Sequence, residues 1–408
     1  MGLSIGIVGL PNVGKSTLFT ALTNKGGVAT KYPFATKETN IGIVPVPDER
    51  LDKLADIVHP SRIVPATVEF VDVAGLVKGA NDGEGLGNQF LASIRETDAL
   101  IEVLRYFSDP EVVHVTGVPD PATDSEIIKT ELILADLGTI ERALPRLEKD
   151  AKRNRDLAPK ATVVQALQVW MDAGNRASSF DFAGAGAAVG ISGSNAADEA
   201  RALVYDLHLL TMKPLLYVAN IDEGAAPDAS AAPDASAAPT APAAPATPTA
   251  PAAAGEPGAA GFSATSLTSI DGIVPIPISA KIEADIAELM ESSPEDAALF
   301  MEELGFKKSG LERLIQSAYA LLGLQSFFTA GELEAKAWTI PIGARAPQAA
   351  GVIHSDFEKG FIKAETIAYD DFIAYKGEAG CRAAGKLRIE GKDYVVKDGD
   401  VMHFRFSR

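Results

Sequence analysis

The stretch GLPNVGKST, from Gly9 to Thr17, matches the spacing G-x-x-x-x-G-K-[ST] without an insertion. The apolar run SIGIVG before it has the length of a strand, and KSTLFTALT after it has the pattern of an amphipathic helix. The glycines allow successive backbone N–H groups to turn inward toward a phosphate chain. The positive end of the following helix points at the same anion. The stretch therefore predicts a phosphate-binding loop between a strand and a helix.

Individual side chains of this loop have separate predicted roles. Lys15 would reach the β- and γ-phosphates as a point charge, and we expect it to face solvent in the empty site. Ser16 would offer its hydroxyl to Mg²⁺. The other predicted nucleotide contacts in the loop are Asn12, Val13, Gly14 and Thr17.

Composition limits the class of protein. A chain of 408 residues is too long for one ordinary core, so we expect two or three domains. The formal net charge of −18 argues against wholesale wrapping of nucleic acid. Cys381 is the single cysteine, which excludes an internal disulfide framework and fits a reducing compartment. The sequence has neither a basic leader nor an apolar run of about 18 residues, so we predict a cytoplasmic protein without a membrane span.

Two further stretches would complete a phosphate and metal site. Thr36 lies in a polar loop where a threonine can complete Mg²⁺ coordination, the alternative being an ordinary turn threonine. VEFVDVAG (68–75) predicts a strand ending in D-x-x-G. Asp72 would hold Mg²⁺ through water, and Gly75 would donate its N–H to the γ-phosphate. Leu76 follows where many GTPases place a glutamine that orients the attacking water, and leucine cannot form that hydrogen bond.

The remaining chain divides by composition and periodicity. A coiled-coil-like stripe predicts a helical insertion over residues 124–206; it consists of Ile133, Leu137, Ile140, Leu144 and Leu147. The flanking parts, 1–123 and 207–290, would form one domain interrupted by an Ala/Pro-rich segment at 224–260. That segment has too little bulky apolar surface to offset its ordering entropy, so we expect it to be disordered.

The C-terminal part has another character. Residues 291–324 predict connecting helices, and short β runs between glycine turns predict a small mixed β domain over 325–408. This domain is close to neutral while the rest of the chain is strongly acidic, so a polyanion-facing surface is predicted here, around Lys386, Arg388, Lys392 and Lys397. The alternative is scattered solvated charge.

These stretches resemble one family closely, the YchF or Obg-like ATPases of the translation-factor class of P-loop NTPases. The resemblance spans nearly the whole chain and includes GLPNVGKSTLFTALT, DVAGLVKGA, APQAAGVIHSDFEKGFI and EGKDYVVKDGDVMHF. It implies an α/β fold: a P-loop NTPase G domain, a helical coiled-coil insertion and a small C-terminal mixed β domain of the TGS, ubiquitin-like type. It also implies a monomer that hydrolyses nucleotide and binds the ribosome (large subunit or 70S particle) and rRNA through the TGS and coiled-coil domains. Residues 153–197 and 224–260 depart from the family's pattern.

The base-binding residues favour ATP over GTP. GTPases commonly use N-K-x-D, whose aspartate accepts two hydrogen bonds from guanine, but the matching residues here are Asn220, Ile221, Asp222 and Glu223. Glu223 is one methylene longer than aspartate, which displaces the carboxylate from a bidentate contact. The resemblance also implies ATP, with Asn220 and the backbone near Ile221 meeting the adenine. A shifted loop could instead use Asp222. The sequence ISAK supplies the remaining base-side contacts, Ser279 and the Ala280 N–H.

Without the glutamine, hydrolysis needs another group. The resemblance carries a catalytic role to His114, whose imidazole would position or activate water when its loop closes. The alternative is a solvated loop histidine. The resemblance also suggests that Asn12 helps to bind K⁺ beside the phosphates.

Four functions are therefore open from the sequence. The first is an ATP-hydrolysing switch on the ribosome, and the second is an Obg-class GTPase in ribosome assembly. The third is a non-hydrolysing module in which the nucleotide only orders loops. The fourth, a small-molecule kinase, would need an acceptor-site base and a lid, and the TGS-like C-terminus argues against it.

Overall fold

The computed structural model describes residues 3–24, 28–31, 40–73, 86–115, 117–223, 267–306 and 308–407, with the backbone alone at 28–31 and 86–89. Thr36, Gly75, Leu76 and the segment 224–260 lie outside the described residues.

A seven-stranded sheet forms the centre of the N-terminal part. Its strands in sequence order are β1 (Ser4–Val8), β2 (Val28–Lys31), β3 (Asn40–Pro45), β5 (Thr67–Asp72), β6 (Ala99–Tyr106), β7 (Leu215–Ile221) and β8 (Ile276–Ile278). The spatial order is β2-β3-β5-β1-β6-β7-β8, in which β5, β1, β6, β7 and β8 run parallel and β2 and β3 run antiparallel to their neighbours. Strand β6 is buried along its whole length, as expected of a central parallel strand.

Helices connect these strands and cover the sheet. They are α1 (Lys15–Asn24), α2 (Glu49–Val58), α3 (Leu86–Glu96), α8 (Ala280–Ser292), α9 (Pro294–Glu303) and α10 (Gly310–Leu321). Parallel strands joined through helices bring their carboxyl ends to one edge of the sheet. The ends of β1, β5, β6 and β7 therefore assemble one site from four distant parts of the sequence.

The insertion between β6 and β7 is helical. Its helices are α4 (Pro121–Arg153), α5 (Ala158–Asp172), α6 (Phe182–Ala188) and α7 (Ala196–Ala202). Asp120 caps α4 by accepting from the N–H groups of Ala122 and Thr123, and Pro121 occupies the first turn, where no N–H is needed. The insertion has its own apolar core, in which Ile133 and Ile140 of the predicted stripe pack against Val164 and Leu167 of α5.

The C-terminal part is a second mixed sheet. Its strands are β9 (Leu324–Ala330), β10 (Ala335–Pro341), β11 (Phe361–Ile367), β12 (Arg388–Glu390) and β13 (Val401–Phe406), with β9 and β13 parallel. Four short helices accompany them: α11 (Ala346–Ile353), α12 (Ser355–Lys359), α13 (Tyr369–Ala374) and α14 (Glu378–Ala383).

The two sheets are joined by elements of the N-terminal part. Strand β4 (Ile63–Val64) pairs in parallel with β10 and becomes the edge strand of the C-terminal sheet. Helix α2 packs between them, since Leu51 and Leu54 share one continuous core with Phe328 and Phe372. Arg50 donates to both Asp48 and Asp398, the latter at 2.7 Å. The parts are therefore packed into one body.

Candidate functional site

The predicted phosphate loop lies between β1 and α1, and α1 begins at Lys15. The backbone is in the left-handed region at Asn12 (φ 63°) and Gly14 (φ 98°). Gly14 has a second constraint, because a Cβ atom there would lie 2.2 Å from the amide nitrogen of Asn220. A side chain at position 14 would therefore separate the phosphate loop from β7. Ser16 and Thr17 are exposed at the start of the helix, and Val13 is buried beneath it.

Lys15 does not face solvent, and that expectation is wrong. Its side chain folds back so that Nζ donates to the Leu10 carbonyl at 2.6 Å, and the residue is only 8% exposed. Burial lowers the pKa of Lys15 to about 8, and the negative charge of Asp72 opposes this shift. The lysine is held within the loop by one hydrogen bond that a phosphate oxygen can replace.

The oxygen donors expected for Mg²⁺ stand at the ends of neighbouring elements. Ser16 is exposed on the first turn of α1, and Asp72 is the last residue of β5, the parallel neighbour of β1. Burial raises the pKa of the half-buried Asp72 carboxyl, while the charge of Lys15 and a hydrogen bond from the Asn40 side chain lower it. A hydroxyl and a carboxylate in this position fit the oxygen preference of Mg²⁺. No cluster of three or more His, Cys, Asp or Glu side chains suited to a metal occurs among the residues the structure describes.

Asn220 joins the phosphate loop to the base-side loop. Its amide nitrogen donates to the Val13 carbonyl at 2.9 Å, and its amide oxygen accepts from the Ala280 N–H at 3.0 Å. Asn220 is 6% exposed, and Ser279 is the N-cap of α8. The amide of Asn220 and the N–H of Ala280 therefore bind each other in this structure, which leaves their predicted contacts with adenine untested.

The three residues after Asn220 diverge. The Ile221 side chain is buried in the sheet, with 3% exposed, so only its backbone can meet a base. Asp222 accepts from the Ser108 N–H at 3.2 Å, which ties it to the loop after β6. Glu223 is exposed and forms an ion pair with Lys281, which bridges the two base-side loops. Asp222 is thus held by the loop after β6, whereas Glu223 is held by α8.

His114 lies in the loop between β6 and α4 and is buried. Its Nε2 atom is 2.9 Å from Oδ2 of Asp124, and each side chain is only 1% exposed. The alternative of a solvated loop histidine is therefore wrong. The amide nitrogen of Asn12 donates to the Val113 carbonyl at 3.1 Å, so this loop touches the phosphate loop one residue away from His114.

Comparison with known proteins identifies the family. A model described as "50S ribosome-binding GTPase" matches residues 4–155, and one named YchF-GTPase_C, described as a protein of unknown function, matches residues 324–407. The ribosome-binding ATPase YchF of Escherichia coli O157:H7 is 47% identical over 408 residues, which cover 100% of both chains. The protein of that name from Bacillus subtilis (strain 168) is 46% identical over 100% of both chains. The chain belongs to the YchF family.

A solved structure agrees with this assignment. The Schizosaccharomyces pombe YchF GTPase aligns with a TM-score of 0.76 and 32% identity, covering 99% of this chain and 98% of that chain. The predicted fold class is thereby confirmed: a G domain of the P-loop NTPase type that is followed by a small C-terminal domain.

Sequence reasoning missed the buried polar residues that surround the YchF-family loop carrying His114. Arg105, 2% exposed, donates to the carbonyls of Phe107, Asp109 and Val112 and so fixes the first half of the loop. Asp124 lies in a helical pattern that contains many charged residues, so nothing in the sequence singled it out. A charged residue inside the otherwise apolar strand ALIEVLRY was the available signal for Arg105 and also for Glu102.

Glu102 lies at the centre of the sheet and is fully buried. Within the described part of the chain, neither of its carboxylate oxygens has a hydrogen-bond partner, and its nearest cation is Arg176 Nη2 at 4.0 Å. Burial raises the pKa of Glu102 to about 8 against the opposing charge of Arg176. The neutral acid is therefore favoured near neutral pH.

The basic residues proposed for polyanion binding differ in availability. Lys386 pairs with Asp371 at 3.1 Å, and Arg388 approaches Asp400 at 3.3 Å. Lys392 and Lys397 are exposed. The structure thus ties two of the four charges to acidic partners. Across the described ranges, none of the helices combines the length and the apolar character needed to cross a membrane.

Proposed function

We propose that this protein is an ATP-hydrolysing switch that acts on the ribosome. ATP is favoured over GTP by the residues of the base-side loop: the Ile221 side chain is buried, and Glu223 forms an ion pair with Lys281. A guanine-reading site needs a lysine and an aspartate at these two positions. Relatives that are 46% and 47% identical to this chain bear the name ribosome-binding ATPase, which supports both the nucleotide and the partner.

Binding of the triphosphate would use the geometry of the phosphate loop. Lys15 would leave the Leu10 carbonyl for the β- and γ-phosphates, while the backbone N–H groups from Asn12 to Thr17 surround the chain of phosphates. Gly75 would add its N–H at the γ-phosphate. On the base side, the backbone at Ile221, the N-terminus of α8 and the Glu223–Lys281 pair would border the adenine.

Mg²⁺ would be held by Ser16, by Thr36 and, through water, by Asp72. The ion would supply charge neutralisation at the phosphates. We also propose K⁺ beside the phosphates with the help of Asn12. The protein would act in the cytoplasm as a monomer and contact the ribosome, and rRNA, through its helical insertion and C-terminal domain.

Hydrolysis would depend on His114. The imidazole would position or activate the attacking water, because Leu76 cannot do so. Replacing His114 with alanine should leave the ATP dissociation constant nearly unchanged and lower the single-turnover rate by roughly 10²-fold, the size of a lost acid–base group. His403→Ala, an exposed histidine of the C-terminal domain, is the matched control. An unaltered single-turnover rate in His114→Ala would remove His114 from the mechanism.

The experiment that tests the nucleotide is a titration of the protein with Mg·ATP and Mg·GTP side by side. We expect tighter binding of ATP, with a discrimination of no more than a few kcal/mol, since a base contact is worth about 1–3 kcal/mol. The substitutions Glu223→Asp and Lys281→Ala should each reduce the difference between the binding free energies of ATP and GTP. Ile221→Lys is unsuitable as a test because it would place a lysine in the buried end of β7.

The competing function, an Obg-class GTPase, makes the opposite prediction. It would require Asp222 to release the Ser108 N–H and turn to a guanine. Tighter binding of GTP by the wild-type protein, abolished by Asp222→Asn, would favour that function and exclude the first.

A further inference from the structure

The His114 imidazole is enclosed by protein and has almost no exposed surface. The side chain is 1% exposed, and its Nε2 atom lies 2.9 Å from Oδ2 of Asp124, which is equally buried. Asp124 belongs to the first turn of α4. An imidazole without exposed surface has no contact with bulk water.

The backbone is fixed on both sides of His114. Upstream, the three carbonyl contacts of Arg105 end at Val112. Downstream, α4 begins at Pro121, with Asp120 as its cap. Between these two points, Gly117 has a φ of 92°, which suits a turn, and its N–H donates to the His114 carbonyl at 3.1 Å. His114 can therefore change position through a short segment while β6 and α4 stay in place.

The contact with Asp124 stabilises the buried position of the imidazole. Burial raises the pKa of the Asp124 carboxyl, and the His114 side chain is the principal group that opposes this shift. The second oxygen of Asp124, Oδ1, has no hydrogen-bond partner among the described residues. Because a buried carboxylate that loses its partner is costly, the pair resists separation.

The phosphate loop is connected to the same segment. Asn12 donates to the carbonyl of Val113, the residue directly before His114. Asn12 lies in the loop that a triphosphate would contact, with φ of 63°. A nucleotide that moves the Asn12 side chain would therefore break its hydrogen bond to Val113 and alter the backbone contact next to His114.

We propose that Asp124 is a positioning residue that retains His114 in a resting, water-excluded position, and that hydrolysis requires the imidazole to leave Asp124. This inference rests on the catalytic role proposed for His114.

The first test is the single-turnover hydrolysis of saturating Mg·ATP by Asp124→Asn. Asparagine keeps the shape and one acceptor but removes the charge, and a charge-assisted hydrogen bond is roughly twice as strong as a neutral one. We expect the rate to rise about fivefold, with ATP affinity within about twofold of the wild type. Glu126→Gln is the matched control on the same helix, since it also removes a carboxylate charge but at an exposed position. A rate that is unchanged or lower in Asp124→Asn would overturn the proposal.

A double variant separates positioning from a general effect on the fold. Asp124→Asn should produce no acceleration in the His114→Ala background, because the residue that it releases is missing. An acceleration that persists without His114 would contradict the proposed role, since a looser fold would then explain it.

The second test measures the position of His114 directly. Diethyl pyrocarbonate labels exposed imidazoles, and mass spectrometry reads each histidine separately. In the wild-type protein we expect His114 to react at least tenfold more slowly than the exposed His354 and His403, and Asp124→Asn should reduce this protection. A reaction at His114 as fast as at His403 would overturn the retained position, even if the variant failed to fold.

The two tests also distinguish this inference from the proposed catalytic role. If His114→Ala hydrolyses ATP at the wild-type rate, His114 has no catalytic role, and Asp124→Asn is then not expected to accelerate hydrolysis. The labelling experiment would still decide whether Asp124 retains His114.

Discussion

Lys15 and Asn220 show that side chains of this site form hydrogen bonds with backbone groups of the site's own loops. The ammonium of Lys15 contacts the Leu10 carbonyl, and the amide of Asn220 contacts Val13 and Ala280. The two residues differ in what a nucleotide would do to them. Lys15 must exchange its carbonyl for phosphate oxygens, whereas Asn220 can keep both hydrogen bonds and maintain the distance between the two loops.

Replacement of Lys15 with alanine should therefore remove tight binding and spare the fold. We expect the affinity for Mg·ATP to fall by about a hundredfold, because a hydrogen bond to a charged group contributes about 1.5–3 kcal/mol. The melting temperature of the free protein should be unchanged or higher, since a desolvated ammonium is removed. Calorimetric titration and thermal denaturation measure the two effects, with Lys160→Ala in the insertion as the control. An unchanged dissociation constant would refute the phosphate-loop assignment.

Replacement of Asn220 with alanine should lower the affinities for ATP and for GTP by the same factor, about tenfold. The variant loses the bridge between the phosphate loop and α8, and each of its two hydrogen bonds contributes roughly 0.5–1.5 kcal/mol. Parallel titrations with both nucleotides measure the ratio. A loss confined to ATP would instead show that Asn220 leaves its bridging position and reads the adenine.

At the scale of elements, a buried polar cluster fastens the insertion to the sheet. Arg176, which follows α5, reaches Tyr217 on β7 at 3.3 Å and Asp271 at 3.2 Å. Ser125 on α4 donates to the same Tyr217 hydroxyl. Glu102 on β6 lies within this cluster with both oxygens unpartnered among the described residues. These contacts fix the position of α4 and α5 relative to the sheet, and the desolvated carboxyl of Glu102 is the unfavourable part of the cluster.

Glu102 should make the stability depend on pH. The pKa of this group rises from 4.5 to about 8 on folding, so between these values the folded protein binds more protons than the unfolded chain. The stabilising contribution of the neutral acid is complete below pH 4.5 and is lost as pH rises to about 8, at about 1.4 kcal/mol per pH unit.

Glu102→Gln removes this slope. Its free energy of unfolding should equal that of the wild type at pH 4 and exceed it at pH 8, as urea denaturation at the two pH values would measure. Glu126→Gln, at an exposed position on α4, should show no such difference. A variant that is less stable than the wild type at pH 8 would mean that Glu102 is ionised and paired with Arg176.

At the scale of the whole molecule, the G domain and the C-terminal sheet share a core. Helix α2 supplies Leu51 and Leu54 to both, and β4 extends the C-terminal sheet. The insertion and the face of the C-terminal sheet beneath α11 have separate apolar cores. The insertion thus has an apolar core of its own, while Ile128 and Leu132 of α4 join the core of the G domain.

Removal of residues 324–408 should destabilise the remainder. The truncated chain would expose the apolar face of α2, so we expect a lower melting temperature and a tendency to aggregate. In the intact protein, the G domain and the C-terminal sheet should unfold together in one calorimetric transition. Two separate transitions for these parts, with an unaffected truncated chain, would disprove the shared core. Arg50→Ala, which loses the link to Asp398, should show a smaller effect in the same direction.

Deletion of residues 224–260 should leave the melting temperature and the rate of ATP hydrolysis unchanged. The prediction comes from composition, since alanine, proline, serine and threonine in this run offer little bulky apolar surface for a core. The deletion variant is compared with the full chain by calorimetry and single-turnover kinetics. Loss of soluble protein would show that the segment contributes to the fold.

Local patterns of residues were sufficient to predict several parts of this protein. The spacing of Gly9, Gly14 and Lys15 defined a phosphate loop, and apolar runs located β1, β5, β6 and β7, because loop chemistry and strand burial are written within a few consecutive residues. The motifs along the chain were also sufficient to indicate the family.

The contacts between side chains, by contrast, depend on the folded chain. Lys15 is buried and not solvent-facing, His114 is paired with Asp124, and Asn220 spans two loops because residues far apart in sequence meet at the edge of one sheet. The shared core of α2 with β9 and β10 has the same origin, since an amphipathic helix specifies an apolar face but not its partner. Burial and pairing at this protein's site are products of long-range contacts, and no local pattern encodes them.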